Sequence, residues 1–214
     1  MIDWIVDNRS PFPTVADQGH RGTCLSMAIT AVHAFQSQVA HSAEYLHWAS
    51  GKYPRGRGDV GSAGSALLGD GQPPEAQWPY DEHADEADPS YGPPPAAIGP
   101  YVRAHVVPGT GIQEIRPALE SGRWPVLLLR VTGSFLAGTG VVLPDGPGTA
   151  RHAVAAVGIA RASGPGLPTG LVDGELLVCV RNSWGESWGS SGHALVSETA
   201  LGQCLEGVLT IEPA

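Results

Sequence analysis

Residues 18–27 read QGHRGTCLSM, a polar, glycine-rich run that reaches Cys24 and gives way at once to an apolar helical pattern. From Cys24 to Ala40, apolar residues fall at Leu25, Ala28, Ile29, Val32, Phe35 and Val39. That spacing is one face of a helix. Thr23 is then the expected N-cap and Cys24 the first helical residue. A thiol placed there meets unpaired backbone N–H groups and the positive end of the helix dipole. Both favour the thiolate and pull the pKa below the ~8.5 of a free cysteine. Such a thiol is a candidate nucleophile, and a candidate nucleophile needs a base.

Most of the eight histidines have plain readings. His33 and His41 fall on or beside the first helix and His47 on a second, expected over Ser42–Ser50. His20 lies in the loop before Cys24, His83 in an acidic loop, and His105 and His193 in strands. No pair has a metal-binding spacing, so neither a metal nor a cofactor is expected. His152 differs. It opens the strand HAVAAVG (152–158), where its ring can project while alanines and valines bury behind it. Downstream, RNSWGESWG (181–189) puts Asn182 at the end of another apolar strand, followed by two tryptophans in a glycine-rich loop. An amide that orients an imidazole, under an indole that keeps water away, calls for those residue types.

Composition narrows the field. The chain has 214 residues, 42% hydrophobic and 15% charged, which fits a globular domain. A net charge of −9 argues against a nucleic-acid partner, and no apolar run is long enough to span a membrane. Oligomeric state is left open. The three cysteines, Cys24, Cys179 and Cys204, lie far apart and form no closed disulfide framework, which favours a reducing, cytoplasmic setting. One lysine against eleven arginines hints at a bacterial gene. Cys179 and Cys204 read as structural, and the acidic run DEHADEAD (81–88) as a solvated loop.

The first hundred residues read as an extended start, two helices, a short helix near Ala63–Leu68 and much loop. From Tyr101 onward YVRAHVV, PVLLLRVT, HAVAAVGIA, ELLVCVRNSW, GHALVSE and GVLTIE are β-rich, with one helical pattern at IQEIRPALESG. A helical half followed by an antiparallel β half is an α+β plan.

QGHRGTC, HAVAAVG and NSWGESWG together resemble the three catalytic blocks of papain-like cysteine peptidases. The family places its histidine and asparagine about 130–150 residues after the cysteine; here they lie 128 and 158 residues on. Similarity continues through VDNRSPFPTVADQG (6–19) and GDVGSAGSAL…WPY (58–80), so it covers nearly the whole chain. The resemblance implies one papain-like domain over 1–214. Its helical lobe would span roughly 1–100 and its β-barrel-like lobe 101–214, with the active site in the cleft. Cys24 is implied as nucleophile, His152 as base and acid, and Asn182 as the orienting amide. Gln18 and the Cys24 backbone N–H are implied as oxyanion donors, and Trp184 as the indole over the His–Asn bond. Asp59–Ala63, with Gly61 and Ser62, resembles the loop that pairs with an extended substrate. Leu129 and Ala150 resemble residues lining a side-chain pocket. Arg151 stands on the substrate side beside the base. Its charge is expected to lower the proton affinity of His152 unless Asp145 or Glu186 pairs with it.

Three departures refine this. The family's common cysteine three before the nucleophile is Arg21, its aromatic after the nucleophile is Leu25, and Cys204 lacks an apparent disulfide partner. They point to a bacterial, disulfide-free branch without an inhibitory pro-segment. The expected activity is hydrolysis of peptide or protein substrates through a thioester. The same residues serve deamidation, transamidation or peptide cyclisation, since the acceptor is chosen by shape. An inactive binding module is disfavoured, because Gln18, Cys24, His152 and Asn182 are all present.

Overall fold

A computed structural model describes residues 1–9, 14–97, 101–109 and 111–214. The chain forms two compact units. One comprises Met1–Ala16 with Pro108–Thr210, the other Asp17–Val107 with Ile211–Ala214. The first sixteen residues therefore belong to the β-rich unit, and the helical unit begins just before the Gln18 turn.

In the helical unit, α1 (Cys24–Ser37) buries Leu25, Ala28, Ile29 and Val32, as the periodicity predicts. It stops short of Ala40. Gln38 takes the left-handed conformation (φ 57°), and its side-chain amide donates to the Phe35 carbonyl, which leaves Val39 exposed. Thr23 makes no cap bond; its hydroxyl pairs with Tyr80 Oη at 2.9 Å. Helix α2 (Ala43–Ser50) starts where expected, with Ser42 Oγ accepting from the Tyr45 N–H at 3.0 Å. Helix α3 runs Val60–Gly69, longer than Ala63–Leu68, because the Asp59 carboxylate accepts from the Ser62 N–H at 2.9 Å and nucleates the turn earlier. Asp59–Ala63 is thus a capped helix start and not an extended loop. Gly61 and Ser62 lie in its first turn. Strand β2 (Ala104–Pro108) follows a bridge between Gln72 and Val102.

The β-rich unit is organised around β5 (Ala150–Ala162), buried on both faces from His152 to Ala160. One edge of β5 takes two partners in succession. β3 (Val126–Val131) pairs antiparallel with its first half, from Val131↔Ala150 to Val126↔Ala155. β1 (Ile2–Asp7) pairs with its second half, from Asp7↔Gly158 to Ile2↔Ala162. The other edge takes β6 (Leu176–Arg181), antiparallel, with a bulge between Ala156 and Gly158. Beyond β6 lie β7 (His193–Ser197) and, in parallel, β4 (Val141–Val142), while β8 (Leu205–Pro213) flanks β3. The sheet is antiparallel-dominated and open; the barrel-like closure expected from the sequence does not occur. Helix α4 (Ile115–Glu120) tolerates Pro117 because its first turn has no intrahelical N–H partner to lose. Two short helices went unforeseen. α5 (Gly133–Ala137) is capped by Thr132, and α6 (Glu198–Cys204) by Ser197.

Candidate active site

In the β-rich unit, β5 carries His152 and the end of β6 carries Asn182. Strand alternation turns the His152 side chain inward and leaves Arg151 outside; His152 is 6% exposed and Asn182 4%. His152 Nε2 and Asn182 Oδ1 are 2.6 Å apart. The Ser183 backbone N–H also points at that Asn182 atom, at 2.8 Å. A backbone N–H can only donate, so the atom is the amide oxygen. Nε2 must then carry the proton that completes the bond, and in the neutral ring Nδ1 is left as the basic nitrogen.

Burial lowers the proton affinity of His152 below the ordinary histidine value, and the Asn182 bond opposes that in part. Burial thus favours the neutral ring, the state a general base requires. Aromatic rings enclose it. Trp184 lies 4.6 Å from the imidazole centroid at 34°, and Phe135 meets it edge-on at 5.8 Å. Trp188 packs on Phe135 at 4.9 Å and donates its indole N–H to the Phe135 carbonyl at 3.1 Å. Phe135 is 1% exposed and anchors this cluster. It was not singled out in the sequence, since one aromatic in a five-residue helix leaves no periodic signal.

The loop that delivers Asn182 and Trp184 is held by its backbone. Asn182 N donates to Gly192 O at 3.0 Å, and Gly185 N to Ala16 O at 3.1 Å. Gly192 has φ +77°, and a Cβ there would fall 2.5 Å from Val15, so both conformation and space demand glycine.

In the helical unit, Cys24 opens α1 and is partly exposed. Cys179 and Cys204 are buried, and burial pushes both thiols up, Cys179 to about 12. Those two are poor nucleophiles at neutral pH. Gln18 is buried, and its Nε2 donates to the Arg21 carbonyl at 2.8 Å while its own carbonyl accepts from Arg21 N and Tyr80 Oη.

The remaining residues are placed as follows. Leu129 is 1% exposed, in register with His152 on the neighbouring strand, and belongs to the core. Ala150 is exposed. Arg151 pairs with Glu206 at 3.0 Å, neither with Asp145 nor with Glu186. Glu206 also takes Arg130 at 2.6 Å, and so bridges two arginines that face each other across β3 and β5. Among the described residues no cluster of three or more histidine, cysteine or acidic side chains could hold a metal, and no helix is long and apolar enough to cross a membrane.

Solved structures with the same architecture decide the fold. The chain is similar to xylellain, a cysteine protease from Xylella fastidiosa, at 22% identity and TM-score 0.67, over 98% of this chain and 85% of that one. It is similar to the cysteine protease CMS1MS2 of Carica candamarcensis at 20% identity and TM-score 0.71, over 97% of both chains. It also matches the cysteine protease and lectin-like domains of Cwp84 from Clostridium difficile, at 17% identity and TM-score 0.72, over 95% of this chain and 50% of that one. The fold is papain-like. No protein-family model matches the sequence, and a search of curated proteins finds no relative. Within the papain-like fold, the Cys24, His152 and Asn182 blocks occupy the start of α1, β5 and the end of β6.

Proposed function

We propose that this chain is a papain-like cysteine peptidase, one domain over residues 1–214, that hydrolyses peptide bonds through Cys24, His152 and Asn182. The observation that carries the reading is the enclosed His152–Asn182 pair, whose fixed tautomer leaves Nδ1 as a base. In this scheme Nδ1 takes the Cys24 proton and the thiolate adds to the peptide carbonyl, forming a C–S bond while the carbonyl oxygen becomes an oxyanion. The Gln18 amide and the Cys24 backbone N–H stabilise that oxyanion, each such donor worth ~3 kcal/mol in comparable sites. As the tetrahedral species collapses, the imidazolium gives its proton to the leaving nitrogen. Water, deprotonated by His152, then cleaves the thioester and releases the acid. Asn182 keeps the ring in one tautomer throughout, and the Trp184 and Phe135 rings limit water at the bond.

Gly61 and Ser62, at the start of α3, and Ala150 and Arg151 are the remaining candidates for substrate contact. The substrate is a peptide or protein. The cytoplasmic and bacterial setting belongs to the same proposal and rests on the unbridged cysteines and the arginine-rich composition.

The test compares wild type with Cys24→Ala and Cys24→Ser on a peptide library, with products formed in heavy-oxygen water read by mass spectrometry. New carboxyl termini carrying the heavy label, absent from both variants, are expected. Products joined to an amine would mean acyl transfer to another acceptor, and no product from the wild type would refute the enzyme. Rapid labelling at Cys24 by a thiol-directed epoxide, with Cys179 and Cys204 untouched, is the companion result.

A further inference from the structure

The stretch from Gln18 to Cys24 is held by an ion cluster that the reaction scheme does not use. The Arg21 side chain is 8% exposed and its main partner, Glu44 on α2, is 0% exposed. Nη1 donates to Glu44 Oε2 at 2.7 Å and to the Asp81 carbonyl at 2.6 Å. Nη2 donates to Glu44 Oε1 at 2.7 Å and to Tyr91 Oη at 3.0 Å. Nε donates to Glu86 Oε1 at 3.0 Å. A guanidinium has five N–H donors, and all five are engaged. Glu86 in turn meets His47 at 3.0 Å and Arg57 at 3.5 Å, and the Asp81 N–H returns to Glu44 at 3.1 Å.

The main chain of Arg21 carries the other half of the arrangement. Its carbonyl accepts from the Gln18 amide at 2.8 Å and its N–H donates to the Gln18 carbonyl at 3.3 Å. The Tyr80 hydroxyl bonds both the Gln18 carbonyl and the Thr23 hydroxyl, each at 2.9 Å, and the Arg21 guanidinium lies 5.0 Å from the Tyr80 ring. The Gln18 amide is thus tied to a carbonyl that belongs to a residue anchored at five points. An exposed turn with one polar anchor could drift by an ångström. A turn clamped to a buried bidentate carboxylate cannot do so without breaking charged hydrogen bonds.

We propose that Arg21 is a positioning residue for the oxyanion site. Through Glu44, Glu86, Tyr91 and the Asp81 carbonyl it holds the peptide carbonyl that aims the Gln18 amide at the developing negative charge. The inference rests on the peptidase reading above and adds to it a non-covalent clamp, to which the largely exposed acidic segment contributes Glu86, Tyr91 and the Asp81 carbonyl. A lysine at position 21 keeps the charge but has a single nitrogen. It cannot span Glu44, Glu86 and Tyr91 together, and the turn loosens.

Two reactions of the same thiol separate positioning from folding. Hydrolysis of a peptidyl anilide passes through an oxyanion. Alkylation by iodoacetamide does not, because the thiolate sulfur displaces iodide from carbon and no negative oxygen forms. Arg21→Lys is expected to lower kcat/KM for the anilide about tenfold or more, while the alkylation rate of Cys24 changes by less than about twofold. In a Gln18→Ala background the same Arg21→Lys change should cost almost nothing further, since the amide it aims is gone. Tyr91→Phe, which removes one of the five anchors and leaves the charges in place, should show the same pattern more weakly, and keeps the test available if Arg21→Lys fails to fold. A loss of hydrolysis and alkylation in equal proportion, or full additivity with Gln18→Ala, would overturn the positioning role. An active wild type whose Arg21→Lys and Tyr91→Phe variants both keep full kcat/KM also overturns it, and leaves the peptidase reading intact. A wild type that alkylates at Cys24 but turns over no substrate removes both.

Discussion

Replacing His41 with phenylalanine tests how burial sets the pH range in which the helical unit is stable. His33 and His41 stack with centroids 4.1 Å apart and planes at 13°, and both are buried. Their tautomers follow from the neighbours. Gln72 Nε2 donates to Thr30 Oγ1 and to the Ser42 carbonyl, so its Oε1 accepts and His33 Nδ1 donates at 2.8 Å. Ser37 Oγ gives its hydrogen to the His33 carbonyl, so His41 Nε2 donates to that oxygen at 2.7 Å. Burial, and next the charge of His33, push the His41 pKa from 6.5 down to about 4. In the unfolded chain His41 takes up a proton near pH 6.5, whereas the folded protein resists until about pH 4. Between those values the unfolded state binds more protons, so stability is complete above pH 6.5 and is lost as pH falls toward 4. At pH 5 the loss from this one residue is about 2 kcal/mol. For a chain of this length that is ~4–8 °C in Tm. Thermal unfolding of wild type and His41→Phe from pH 8 to pH 4.5 reads it directly. Phenylalanine keeps the stacked ring, Ser37 keeps its bond to His33, and any packing change enters at both ends of the pH range and cancels. The wild type should lose ~4–8 °C more than the variant between pH 8 and pH 5. Parallel curves would refute the reasoning. His33, His47, His152 and His193, all with lowered proton affinity through burial, act in the same direction and are common to both proteins.

Asn182→Ala leaves two buried donors, the Ser183 N–H and His152 Nε2–H, without their acceptor, at a cost of ~1–3 kcal/mol each; a lowered Tm with a larger fall in kcat/KM is expected. Asn182→Asp keeps the acceptor and adds a charge that favours imidazolium, so the limb of the kcat/KM profile that reports His152 should move to higher pH, and an unmoved limb would count against the assignment. Arg151 is 81% exposed and paired with Glu206, so Arg151→Ala should leave the pH profile unchanged; a shift of both limbs to higher pH would show that its charge reaches the imidazole after all. Leu129→Glu puts a carboxylate at a position 1% exposed, and a fall in Tm of several degrees without any new preference for basic substrates is expected from library profiling and melting together.

What the sequence disclosed, it disclosed through local patterns. The α1 face, the Ser42 cap and the strands carrying His152 and Asn182 all follow from spacing over a few residues. The pairing of His152 with Asn182 was implied by the family resemblance, and the strands show how it is met. Each sits where an apolar strand meets a polar residue, and antiparallel β5 and β6 bring Ala155 opposite Arg181, one residue before Asn182. The errors came from local choices with two acceptable answers. Thr23 could cap α1 or bond Tyr80, and Asp59 could belong to a loop or cap α3; tertiary contacts and cap chemistry settled each. Phe135 and Glu206 gave no local signal, because their roles depend on partners 17 and 55 residues away along the chain.

Arg21 shows most clearly why such features stay hidden. In the sequence it is one arginine among eleven, noticed only because a cysteine was expected there. Its five hydrogen bonds reach residues 44, 81, 86 and 91, and no spacing rule links a polar turn to an acidic run sixty residues on. A run of acids is usually solvated because each carboxylate is better hydrated than buried. Glu86 is an exception because Arg21, His47 and Arg57 converge on it, and those three come from separate segments of the helical unit. The blocks around Cys24, His152 and Asn182 could be read because their residue types resemble those of a known family over short stretches of sequence. The clamp restricts only the sum of charges and donors at one point in space, and many sequences meet that condition. Legibility therefore follows the range of the constraint, and the proposed position of the Gln18 amide depends on a constraint that reaches from residue 21 to residue 91.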